Sequence, residues 1–88
     1  MTRRESRQVE LALAILRRQF EDRFSTPDRG PALQLALRVL LPYVGRHDLI
    51  TFWNVAGNDN PLQRINNLKK VFACIEAHAR RHQWYERK

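Results

Sequence analysis

Eighty-eight residues, of which 43% are hydrophobic and 28% charged, exclude a disordered chain and leave room for one hydrophobic core, so residues 1–88 are read as a single helical domain. A formal charge of +7 favours anionic partners, although it is spread evenly: residues 1–44 carry 8 basic and 5 acidic side chains, and residues 45–88 carry 8 and 4. One cysteine, Cys74, excludes an internal disulfide, and the N-terminal residues lack a leader pattern, so the expected location is cytoplasmic.

Thr2 and Glu5 have the spacing of a capping box. The helix that follows is expected over about 3–24. Val9, Ala12, Leu13, Leu16, Phe20 and Phe24 recur at steps of three and four and form its core face, widened by Leu11 and Ile15. Arg3, Arg4 and Arg7 stand where cations oppose the helix dipole, at about 0.3–1 kcal/mol each. Either solvent and Glu5 make them harmless, or they reach toward an anion.

A loop with two prolines and Gly30 leads to a second helix, expected over about 31–41, with Pro31 in its first turn. The stretch from Ala32 to Val44 is apolar in nearly every direction except along Gln34 and Arg38. Such a helix is expected to be mostly buried, with the others around it. On that reading Leu37→Asp would unfold the chain. Pro42 should end or kink the helix near Leu41, with a tight corner through Tyr43 to Gly45.

Asp48 can cap a short third helix over about 48–56, ended by Gly57. It too is mostly apolar. Two such helices in so small a chain are hard to cover, which raises an exposed apolar patch at Phe52 and Trp53, and with it a protein partner or a homodimer. Asn60 and Pro61 open a last helix over about 61–82. Leu62, Ile65, Leu68, Phe72, Ile75 and Ala79 step along its inner face, and Trp84 and Tyr85 are candidates to fold back over the bundle. The expected fold is all-α, a compact bundle of four helices joined by short loops.

Catalysis finds no support: there is no phosphate-cradling glycine loop, no convincing carboxylate pair and no nucleophile motif. We therefore expect a chain that is not an enzyme, with no cofactor, small-molecule substrate or membrane span. Cys74, His78 and His82 lie four apart on one helix, with His47 or Asp59 as possible fourth ligands. The three span two turns, too far for one ion, so a small buried cysteine with surface histidines, and no metal, is expected.

The leading functional expectation is nucleic-acid binding in the manner of a helix-turn-helix. The segment 48–56, a four-residue turn and the helix from Pro61 would form the motif. Gln63, Arg64, Asn66, Asn67 and Lys70 would face a groove, with Arg64 and Asn67 reading bases and Arg3, Arg4 and Arg7 on phosphates. Trp53 is bulky for the crossing point of such a motif. The alternative is a protein-interaction or self-associating module, using Phe52 and Trp53 or a seam of small residues at Ala73 and Ala77.

Overall fold

A computed structural model describes residues 2–21 and 30–86, with side chains through Arg81. The fold is all-α. Four helices, α1 (Arg3–Glu21), α2 (Pro31–Val44), α3 (Arg46–Ala56) and α4 (Pro61–Glu86), make a bundle, with no strand among the described residues. At about 1.5 Å per residue, α4 accounts for most of the 43 Å long axis.

Thr2 starts α1 as the spacing predicts. Its hydroxyl oxygen accepts from the Glu5 backbone N–H at 3.1 Å, and the hydroxyl donates to Glu5 Oε1 at 3.1 Å. The second carboxylate oxygen of Glu5 accepts from the Tyr43 hydroxyl at 2.8 Å, which ties the start of α1 to the end of α2. The Tyr43 bond, then the Thr2 bond, hold the Glu5 carboxyl below its usual range, and the same contact pushes the Tyr43 phenol up.

The α1 stripe of Val9, Ala12, Leu13, Leu16 and Phe20 is buried throughout. Leu11 is exposed and does not widen it, whereas Ile15 packs at its edge; Phe24 lies outside the described residues. Helices α1 and α4 run antiparallel. Arg80 donates to Glu10 at 2.9 Å, Arg17 donates to Glu76 at 3.0 Å, and the rings of Phe20 and Phe72 meet at 5.3 Å. These ion pairs are exposed and fix register more than they add stability.

Pro31 occupies the first turn of α2 as expected, but Pro42 does not end the helix, which continues to Val44. In the last turn proline removes only one bond, that to the Arg38 carbonyl, and the following residues keep helical dihedrals. Gly45 is what stops the helix. Its N–H bonds the Leu41 carbonyl at 3.3 Å, and at φ 95°, ψ 159° it turns the chain directly into α3. Helix α3 therefore begins at Arg46, earlier than a cap at Asp48 would allow. Asp48 instead lies within the first turn, where its charge suits the dipole, and its carboxylate is 3.7 Å from His78 Nδ1.

Helix α2 touches each of the other three helices, yet it is covered along one stripe only. Leu33, Ala36 and Leu40 are buried, Leu37, Val39, Tyr43 and Val44 are packed in part, and Leu35 and Leu41 face solvent. The remaining core comes from Leu49, Phe52 and Ala56 of α3 and from Leu68, Phe72, Ile75 and Ala79 of α4. Helix α4 runs to Glu86, so the backbone at Trp84 and Tyr85 continues the helix and does not turn back.

Candidate docking groove

The turn between α3 and α4 is built from its own side chains. Asn58 Oδ1 accepts from the Asn60 N–H at 3.0 Å, and Asn60 Oδ1 accepts from the Gln63 N–H at 3.2 Å, which makes Asn60 the N-cap. Arg64 follows, and here the expectation from sequence fails. Arg64 is only 7% exposed, in step with Leu68, Phe72, Ile75 and Ala79 on the inner stripe of α4. Its Nη1 donates to the Asn58 carbonyl at 3.0 Å, so the guanidinium closes the turn from within. Leu62, expected inside, is 76% exposed.

That placement takes Arg64 out of the expected base-reading set. Gln63, Asn66 and Lys70 are exposed, Asn67 is half-buried, and Arg64 is not presented to a ligand. Arg3, Arg4 and Arg7 do come together, with Gln8 and Leu11, around one surface depression. They sit at the opposite end of the bundle, however. Glu10 pairs with Arg80 and Phe20 with Phe72, so the start of α1 lies beside the end of α4. The two basic groups are therefore separated by roughly 20–35 Å along that helix.

Arg64 gives a direct stability test. Its Nε is buried without a hydrogen-bond partner. Arg64→Met keeps the aliphatic bulk and removes that orphan, so its thermal midpoint should stay within a few degrees of wild type. Arg64→Ala should cost roughly 1–3 kcal/mol. A circular-dichroism melt of Arg64→Ala that overlays wild type would return the side chain to the surface.

Of the expected protein-interface residues, Phe52 is wholly buried and belongs to the core, while Trp53 is half-buried. Ala73 and Ala77 are exposed on the outer side of α4, as is Cys74, which is expected from sequence to be buried. His78 is exposed and lies by Asp48, and the side chain of His82 is outside the described residues.

Trp53 belongs to a surface that the sequence pattern does not assemble. Gln34, Leu37, Arg38 and Leu41 of α2 face Arg46, Leu49, Ile50 and Trp53 of α3 across an open groove of about 340 Å³. Each wall is one helical face at positions i, i+3, i+4 and i+7, two turns or about 10 Å long. Most of the lining is apolar, and Leu41 and Ile50 stand 46% and 48% exposed. The only charged residues among those lining it are Arg38 and Arg46, one on each wall. Neither takes part in an ion pair among the described residues.

Compared with protein-family models, with curated proteins and with solved structures, the chain matches none. No described helix is long and apolar enough to cross a membrane.

Proposed function

We propose that this chain is a protein-interaction module that receives a short amphipathic helix between α2 and α3. The observation that carries the reading is the pairing of two matched helical faces around exposed Leu41 and Ile50. Side chains at this spacing on two neighbouring helices leave a furrow, and a third helix fills it by setting its own ridge between theirs. An apolar groove between two helices is the kind of surface on which an amphipathic helix lays its own apolar face. The competing reading, nucleic-acid binding, loses support from the inward Arg64 and from the distance between the two basic groups.

The test is selection from a displayed library of helical peptides with unbiased charge, followed by binding in solution. Enriched peptides should share apolar residues at i, i+3 or i+4, and i+7, and compete with one another. Ile50→Ser and Leu41→Ser should each weaken them at least fivefold while leaving the thermal transition in place. Enrichment without that pattern, or binding untouched by both substitutions, would overturn the proposal. So would a duplex or single-stranded oligonucleotide bound with sequence preference near physiological salt.

A further inference from the structure

Resting on that docking reading, we infer that the helix received by the groove is acidic, with carboxylates flanking its apolar stripe. The groove has an apolar floor and a cation on each wall. Arg38 lies six residues before the end of α2, about 9 Å of helix rise, and Arg46 opens α3 just past the hinge. An occupant lying along the groove passes both.

The electrostatics select among occupants. A purely apolar helix would strip water from two guanidinium groups and return nothing for it. A basic helix would meet both arginines and the +7 charge of the whole chain. A second copy docked through the same groove would place Arg38 and Arg46 against their own counterparts, because a two-fold interface pairs a patch with itself. A polyanion would satisfy the arginines but lay phosphates over Leu37, Leu41, Leu49 and Ile50. An amphipathic helix with leucine-like anchors and carboxylates about two turns apart satisfies the floor and both walls. Arginine is suited to this because its planar fork can hold a carboxylate through two hydrogen bonds. The nearest acid on α3, Asp48, is engaged with His78 and does not line the groove.

The experiment compares two synthetic 15-residue helical peptides with the same leucine stripe, one flanked by glutamates and the other by lysines. Binding is read by fluorescence anisotropy at 0.15 M salt, where a Debye length of about 8 Å suppresses distant charges. The glutamate peptide should bind at least tenfold tighter. The double variant R38E/R46E lowers the formal charge of +7 by four, so the chain remains cationic, yet its preference should reverse to the lysine peptide. R4E/R7E makes the same change in net charge elsewhere and should keep the glutamate preference.

Equal binding of the two peptides, with both lost in Ile50→Ser, would overturn the acidic inference and leave the docking reading standing. Equal weakening by the two double variants would assign the preference to net charge and also overturn the inference. Binding of the glutamate peptide that survives Ile50→Ser would overturn the docking reading itself. Failure of the glutamate peptide to bind at millimolar concentration, while the selected library peptides do bind, would overturn the inference alone. Displacement of the glutamate peptide by an oligonucleotide at this salt would overturn it in favour of nucleic acid.

Discussion

Leu40→Asp should abolish the cooperative thermal transition, whereas Leu35→Asp, five residues earlier on the same helix, should leave it within a few degrees of wild type. Leu40 is wholly buried and Leu35 is 62% exposed. Removing a buried leucine costs about 2–5 kcal/mol. The carboxyl group left in its place adds about 1–3 kcal/mol or more for a buried polar group without partners. A chain of this size is stabilised by roughly 4–13 kcal/mol, at about 0.05–0.15 kcal/mol per residue, so one substitution consumes most or all of it. Leu35→Asp loses about 0.5 kcal/mol of helix propensity and little else. Leu37, which the sequence alone offers as the core position of α2, is a half-buried groove wall and is not the decisive site. Near-UV and far-UV circular dichroism during heating would check the pair. A cooperative melt of Leu40→Asp near the wild-type midpoint would show that α2 does not carry the core.

The contrast between Leu35 and Leu40 shows what the sequence of α2 conceals. In α1 the apolar residues occupy one face, so the period alone identifies Val9, Ala12, Leu13, Leu16 and Phe20 as core. Helix α2 is apolar nearly all round, and a pattern without contrast cannot say which stripe turns inward. The groove follows from that surplus: Leu37, Leu41 and Ile50 are more apolar surface than the neighbouring helices cover. The inner face of α4 is legible over Ile65, Leu68, Phe72, Ile75 and Ala79, and only its first turn is misread. Leu62 and Ile65 supply the expected period, but Arg64 lies in step with Leu68 and Ile75 and is held there by the Asn58 carbonyl. A long arginine stem packs as an apolar side chain when its head finds a carbonyl, and hydrophobicity gives no sign of it. Terminus chemistry is legible where side chains cap, as at Thr2 and Asn60, and the corner falls at Gly45 as expected; what the sequence misplaces are the helix ends on either side, at Val44 and Arg46 in place of Leu41 and Asp48.

Gly45→Ala should lower stability by about 1–3 kcal/mol, the cost of holding a residue with a β-carbon in a region open in practice only to glycine. The backbone there has φ 95° and ψ 159°. No neighbouring atom lies within 4 Å of the position a β-carbon would take. The expected loss is therefore torsional, and trimming the surroundings cannot relieve it. For a domain of this size the midpoint should fall by roughly 4–8 °C for each kcal/mol. Chirality gives the sharper arm. D-Alanine favours positive φ, so chemical synthesis with ligation at the junction of Ala73 and Cys74 should give a protein at least as stable as wild type, since it also restricts the unfolded chain. The same position sets the angle between the two groove walls, because Gly45 is the only residue between α2 and α3. If the alanine of the variant relaxes to negative φ, the walls part, and peptide affinity should fall in Gly45→Ala at temperatures where the chain is still folded. A Gly45→Ala protein with wild-type midpoint and wild-type peptide binding would mean that the α2–α3 corner does not depend on this torsion.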